Sequence, residues 1–222
     1  MSTAEPSIAQ QVEALNANLA TQMPPDVMGA FVDEIGSLTG RPVPEGVPQP
    51  GTAMPDGDLL DVHGEPTSLE QARDGKPAVV VFYRGAWCPY CNLTLRAYQQ
   101  QLVPALDEQG VKLIAINPQK PDGSLTMQET NDLTFTVLSD PGSAVTGQMG
   151  ILTEPGDGVK EASGKLGLDI PGDTVDGTWT MPMPTTVVVD AGGTIRWVDV
   201  HPLFASRSEP PDILAAVAAL DG

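Results

Sequence analysis

The run Ala78-Val79-Val80-Val81-Phe82-Tyr83-Arg84-Gly85-Ala86-Trp87-Cys88-Pro89-Tyr90-Cys91 restricts the fold more than any other stretch of the chain. Its first six residues are almost all β-branched or aromatic, an apolar run short enough for a central strand covered on both faces. Gly85 marks a turn, and beyond Asn92 the residues Leu93, Leu95, Tyr98 and Leu102 recur at roughly helical spacing. The pattern predicts strand, turn and helix, with both cysteines of the chain at the helix N-terminus. There, unpaired N–H groups and the helix dipole favour the thiolate, so a cysteine ionises below its ordinary value of about 8.5. Pro89 suits the first helical turn, where its missing N–H costs nothing. One turn of separation lets the second sulfur reach the first and close a reversible disulfide. The spacing predicts Cys88 as the exposed attacking thiolate and Cys91 as its more buried partner.

Two plainer readings compete. Half a zinc site needs two further ligands, and the chain offers only His63 and His201, each isolated in sequence. A structural disulfide across so short a loop restricts the unfolded chain little. A redox dithiol without metal or other cofactor is the stronger reading. Across 222 residues, Lys+Arg 11 against Asp+Glu 29 leave a net charge of −18. So acidic a surface repels phosphate backbones and anionic lipid, arguing against nucleic-acid and membrane partners. No run of about 18 apolar residues is present. Met1 to Gln11 lacks the basic and apolar segments of a secretory signal, so the expected location is cytoplasmic.

Residues 1–40 read as a helical extension. Ile8, Val12, Leu15 and Leu19 form one stripe, Pro24-Pro25 breaks it, and Val27, Phe31, Ile35 and Leu38 form a second. Such a hairpin either packs on the body of the chain or serves as a homodimerisation arm. Pro42, Pro44, Pro48 and Pro50 make residues 41–50 an extended linker, and residues 51–222 form the main domain. In that domain Asp58–Val62 is a predicted strand, and His63 falls in the turn after it. The helix carrying the cysteines should run to about Gln109, bent near Pro104 and capped by Gly110, before a buried strand at Val111–Ile116. Strand, helix and strand make a right-handed βαβ unit. Helices are expected at Ser124–Asn131 and Ser143–Met149, with a short strand at Phe135–Leu138. Glu154–Thr178, rich in Gly and Asp, reads as an irregular surface insertion. Ala191-Gly192-Gly193 between two Val-rich runs signals a β-hairpin, because Gly supplies the positive φ of a tight turn. Pro210–Leu220 closes the chain as a helix, completing a mixed α/β sheet layered by helices.

These residues resemble a known family. Met54-Pro55-Asp56, Val62-His63-Gly64, Gly75-Lys76-Pro77 and the strand ending Phe82-Tyr83 are similar to the alkyl hydroperoxide reductase/thiol-specific antioxidant group, the peroxiredoxins. Leu113–Asn117, Leu138–Pro141, Thr186–Asp190 and Gly193–Arg196 follow in register, so the resemblance covers roughly residues 51–220 and implies the thioredoxin-like fold. The active-site stretch departs from it. Members similar to the bacterioferritin comigratory protein read Phe-Tyr-Pro-x-x-x-Thr-x-x-Cys. In that frame Cys91 stands at the peroxidatic position, Cys88 replaces the peroxide-holding threonine, and Arg84 replaces the proline. Before the hairpin, where the family places an arginine, this chain has Pro184. Met183-Pro184-Thr185 instead resembles the cis-proline loop of thioredoxins, which lies against Cys-x-x-Cys and receives a substrate disulfide. Trp87 and the Pro89-Tyr90 pair look like thioredoxin and glutaredoxin features, respectively.

The resemblance implies a thiol peroxidase acting on hydrogen peroxide or organic hydroperoxides through the Cys88/Cys91 dithiol. Thioredoxin, glutaredoxin or a low-molecular-weight thiol would recycle it. By the peroxiredoxin frame Cys91 attacks and Cys88 resolves; by thioredoxin logic the roles reverse. The departures imply the alternative, a thiol–disulfide oxidoreductase without useful peroxidase activity. A third class is a redox-sensing scaffold that binds a partner through residues 1–40. Around the cysteines, Arg84, Trp87, Pro89, Tyr90, Met183, Pro184 and Thr185 are the candidate substrate-binding residues.

Overall fold

The computed structural model describes residues 6–221. Two helices come first, α1 (Ile8–Gln22) and α2 (Pro25–Leu38). After an irregular segment follow β1 (Leu59–Leu60), β2 (Pro66–Thr67), α3 (Leu69–Arg73), β3 (Ala78–Phe82), α4 (Pro89–Gln101), α5 (Val103–Glu108), β4 (Lys112–Asn117), α6 (Pro121–Thr130) and β5 (Thr136–Ser139). The remainder is α7 (Ala144–Gln148), β6 (Leu152–Thr153), α8 (Asp157–Lys165), α9 (Ile170–Asp173), β7 (Met181–Pro182), β8 (Thr185–Val189), β9 (Ile195–Val200) and α10 (Pro210–Ala218). No helix among the described residues is long and apolar enough to cross a membrane.

The main sheet has the order β2-β1-β5-β4-β3-β8-β9. β3 pairs in parallel with β4 and antiparallel with β8, so every residue of this central strand is buried. The period-2 alternation of a strand divides its side chains between two layers. Val79, Val81 and Tyr83 face Ile8, Cys91, Leu95, Tyr98 and Ile213, while Ala78, Val80 and Phe82 face Leu59, Leu69, Val145 and Ile195. The βαβ unit of β3, α4 and β4 and the β8–β9 hairpin form as the sequence predicts. A central mixed sheet flanked by helices is the thioredoxin-like arrangement.

Three details differ from expectation. The helix after the cysteines breaks at Leu102 rather than bending at Pro104, which sits in the first turn of α5, where its missing N–H costs nothing. Helix α6 starts at Pro121, not at Ser124; Ser124 is instead buried, its hydroxyl bonded to Asn117 and Ser139. Residues 154–178 are not an irregular insertion, because they hold α8 and α9, with Val159 and Ala162 buried and α8 packed on α2. An ion pair of 2.9 Å between Lys165 and Asp26 closes that contact. Within the Pro-rich stretch, Val47 is buried in the second core layer.

The N-terminal hairpin uses its apolar stripes within its own chain. Ile8 and Val12 are buried, Leu15, Leu19, Phe31 and Ile35 pack against the first core layer, and α1 lies on α4. Ser7 and Gln10 form a capping box at the start of α1. The carboxylate of Glu209 accepts the Ile8 and Ala9 N–H groups at 2.9 and 2.8 Å, fastening this end to the base of α10.

Candidate active site

Strand β3 delivers the chain to a turn that only glycine accommodates. Gly85 has φ +151°, and a Cβ there would lie 2.5 Å from Trp87 Nε1 and 2.8 Å from Gln119 Oε1. The Cys88 N–H donates to the Gly85 carbonyl at 3.1 Å, and Cys88 is the N-cap of α4, with Pro89 opening its first turn. The Cys91 and Asn92 N–H groups donate to the Cys88 carbonyl at 3.0 and 3.1 Å. Asn92 Nδ2 donates to the Ala86 and Cys88 carbonyls at 2.7 and 3.0 Å, and its own Oδ1 accepts from Asn131 at 2.8 Å. The loop carrying the cysteines is thus fastened to the helix that follows it.

Both cysteines are free thiols, and both are buried: Cys88 is 1 % exposed and Cys91 0 %. The expected exposure of Cys88 is therefore overturned, because α1, α2 and the α8–α9 segment close over the helix start. The order of ionisation differs as well. Burial pushes the Cys88 thiol up, and the neighbouring Cys91 sulfur adds to this more than Arg84 and Arg207 offset it. Burial also opposes ionisation of Cys91. There the hydrogen bond from Cys88, the Arg207 guanidinium, the Arg84 backbone N–H and the Arg84 guanidinium outweigh it, bringing the thiol down to about 5. These surroundings favour ionisation at Cys91 over Cys88.

Arg207 is the residue that sequence reasoning missed. Its Nη2 donates to Cys91 Sγ at 3.3 Å, and its Nη1 donates to the Phe204 and Ser206 carbonyls. The one available signal was scarcity, since Arg207 is among only 11 basic residues in a strongly acidic chain. Arg84 is also buried, at 7 % exposure. Its guanidinium stands 5.0 Å from the Trp87 ring centroid and 4.8 Å from that of Phe204, within cation–π range.

Arg84, Trp87, Cys88, Pro89 and Tyr90 all line one cavity of ≈ 100 Å³. Its other walls are largely apolar: Leu19, Met23, Met28, Phe31 and Ile35 from the N-terminal hairpin, Val159 and Ile170 from α8 and α9, and Phe204. Tyr90 ties the hairpin in place through its hydroxyl, which donates to Asn16 Oδ1 at 2.7 Å. Met183 and Pro184 are not in this cavity but in a small adjoining cleft that shares Arg84 and Phe204. Thr185 lines neither; it is buried in β8 with its hydroxyl on the Met183 carbonyl at 2.9 Å. The resemblance to a cis-proline loop is not realised, because no cis peptide bond occurs among the described residues. Hydrogen bonds from Met183 N–H to Ile151 O and from His201 N–H to Pro184 O, both 2.8 Å, hold that loop extended.

The model of the AhpC/TSA family matches residues 50–198. The chain belongs to the AhpC/TSA family. A Mycobacterium tuberculosis protein that carries the name peroxiredoxin is 31% identical over 146 residues, covering 66% of this chain and 81% of its own. The thiol–disulfide oxidoreductase ResA of Bacillus cereus is 27% identical over 124 residues, covering 55% of this chain and 70% of its own. Among solved structures, peroxidoxin BcpB from Mycobacterium tuberculosis superposes with a TM-score of 0.59 at 21% identity, over 78% of this chain and 97% of that one. AhpC of the same organism gives 0.58 at 16% identity, over 79% and 99%. This AhpC/TSA member is an oxidoreductase of the thioredoxin-like fold. The family match ends before Phe204 and Arg207, and it begins after α1 and α2, the N-terminal part of the cavity's roof.

Proposed function

We propose that this protein is a thiol peroxidase in which the Cys91 thiolate attacks a hydroperoxide and Cys88 resolves the product. The observation that carries the reading is the Arg207 guanidinium 3.3 Å from Cys91 Sγ, beside a Cys88 thiol that burial keeps neutral. In the first step the Cys91 sulfur bonds to the terminal peroxide oxygen and the O–O bond breaks. Cys91 becomes a sulfenic acid, and the alkoxide or hydroxide leaves as alcohol or water after taking up a proton. In the second, Cys88 sulfur displaces the sulfenic hydroxyl as water and forms the Cys88–Cys91 disulfide. An external dithiol, or two molecules of a small thiol, then reduces that disulfide by exchange and is itself oxidised.

The cavity beside Cys88 has room for hydrogen peroxide, and its apolar walls suit the body of an organic hydroperoxide. Positive charge from Arg84 and Arg207 offsets, at this one site, the repulsion that a −18 chain exerts on anionic thiols. The reductant is a thioredoxin, a glutaredoxin or a low-molecular-weight thiol, and the setting is cytoplasmic. Trapping with a sulfenic-acid-selective dione tests the assignment. In Cys88→Ser the label is expected on Cys91 after one equivalent of peroxide, with no further turnover. Faster labelling of Cys88 in Cys91→Ser than of Cys91 in Cys88→Ser would reverse the roles.

A second reading has its own support, because Cys88 rather than Cys91 lines the cavity. On that reading Cys88 attacks a partner disulfide and Cys91 releases the mixed disulfide. Its demand is harsher: a disulfide on a macromolecule would have to reach a sulfur that is 1 % exposed. Faster reduction of insulin disulfides than of peroxide, lost in Cys88→Ser, would favour it.

A further inference from the structure

Beyond β9 the chain folds back so that Arg207 sits between two serines tied to one pair of side chains. His201 Nδ1 lies 2.8 Å from Ser206 Oγ, and His201 Nε2 lies 2.9 Å from Asp199 Oδ2. Ser208 Oγ donates to that same Asp199 oxygen at 2.8 Å. The next contact leads back to the cysteine-bearing helix, since Tyr98 Oη donates to the Ser208 carbonyl at 2.7 Å. Both flanks of Arg207 are therefore anchored, one to His201 just beyond β9 and the other to β9 and α4.

An arginine side chain has roughly 2 kcal/mol of rotamer entropy to lose, so a single N–H···S contact does not by itself hold it in one place. The backbone on either side of it, and the carbonyls its Nη1 engages, must already be fixed. Phe204 and Ser206 supply those carbonyls, and the His201–Ser206 bond fixes the second of them. The His201 hydrogen bond also holds the Asp199 carboxyl below the usual carboxylate range, keeping it an acceptor for Ser208.

We propose that His201 and Asp199 are positioning residues that hold Arg207 against the Cys91 sulfur. All five members of this clamp, Asp199, His201, Ser206, Arg207 and Ser208, lie beyond residue 198, where the family match ends. The arginine that the family's frame places before the hairpin, replaced here by Pro184, thus has a counterpart on the far side of the hairpin. The inference rests on Cys91 as the reactive thiolate only for its effect on rate; the thiolate itself is read directly.

The test is an ultraviolet titration of the Cys91 thiolate in a Cys88→Ser background. Besides Arg207, the groups that face Cys91 are Arg84 from the turn, Tyr83 from the end of β3, and residue 88 itself. His201→Ala is expected to raise the midpoint by about one pH unit, a tenfold loss of thiolate well below the original midpoint. In an Arg207→Met background the same substitution should add no further shift. His201→Asn, which keeps a polar atom near the Nδ1 position opposite Ser206, should recover part of the effect. A midpoint that stays at the reference value in His201→Ala, or that moves equally with and without Arg207, overturns the proposal. Should His201→Ala fail to fold, the Ser206→Ala/Ser208→Ala pair carries the same cycle. Because no peroxide is involved, loss of the peroxidase reading would leave this measurement standing.

Discussion

Replacing Arg207 by Met removes one positive charge beside Cys91 while keeping most of the aliphatic stem. The nearest guanidinium nitrogen is 3.3 Å from the sulfur. Unit charges at that distance interact by about 1.3 kcal/mol at the dielectric of water and about 5 kcal/mol at an effective value of about 20. The guanidinium charge is spread over three nitrogens and Arg84 stays in place, so the lower part of that range applies, roughly 1–3 kcal/mol. At 1.36 kcal/mol per unit this raises the Cys91 midpoint by about 1–2 pH units. The thiol that the folded protein holds at about 5 would then titrate near neutrality. At pH 6 the thiolate fraction falls from about nine-tenths to between a half and a tenth. The assay is thiolate absorbance against pH in Cys88→Ser, with and without Arg207→Met, alongside the rate with peroxide. That rate should fall two- to tenfold near pH 6 and converge with the parent in alkali. A midpoint unchanged within about 0.3 unit would refute the claim that Arg207 sets the ionisation of Cys91.

Three further outcomes follow from the same contacts. Because the folded value of Cys91 lies below the unfolded one, its stabilising effect on the dithiol form is full above about pH 8.5 and lost as pH falls through about 5. The melting temperature of the reduced protein should therefore rise between those limits, and rise less in Arg207→Met. Gly85→Ala places a Cβ 2.5 Å from Trp87 Nε1 at φ +151°. It should cost about 1–3 kcal/mol by chemical denaturation and shift the tryptophan emission. Tyr98→Phe deletes the 2.7 Å bond to the buried Ser208 carbonyl and should cost about 1–3 kcal/mol, with a parallel rise in the Cys91 midpoint.

The parts of this molecule governed by local rules were legible in the sequence. Ala78–Tyr83 reads as a buried strand because both of its faces are apolar, and the structure covers both. Cys88 and Cys91 fall at a helix start because Pro89 opens the first turn, and Gly110 adopts the positive φ of a helix end, +67°. What was not legible depends on residues far apart in the chain. Arg207 and Cys91 are 116 positions apart, and no spacing rule joins them. The burial of Cys88 depends on Met28, Phe31 and Val159, which reach the cavity from two segments that local patterning leaves unattached. Asp157–Lys165 does not read as a helix because nine residues with two glycines carry little propensity; burial of Val159 and Ala162 as α8 packs on α2 supplies the rest. The peptide before Pro184 is trans, and the bonds that hold this loop extended, from Met183 N–H to Ile151 O and from His201 N–H to Pro184 O, join segments that Met-Pro-Thr alone does not specify.

The most direct measurement mixes the reduced protein rapidly with hydrogen peroxide and follows tryptophan fluorescence, since Trp87 adjoins Cys88 and stacks beneath Arg84. Catalysis at Cys91 requires a second-order rate several orders of magnitude above that of a small thiol of matched pKa, abolished in Cys91→Ser and retained for one turnover in Cys88→Ser. A wild-type rate no faster than the small thiol would contradict the peroxidase account and leave disulfide exchange through Cys88 as the activity.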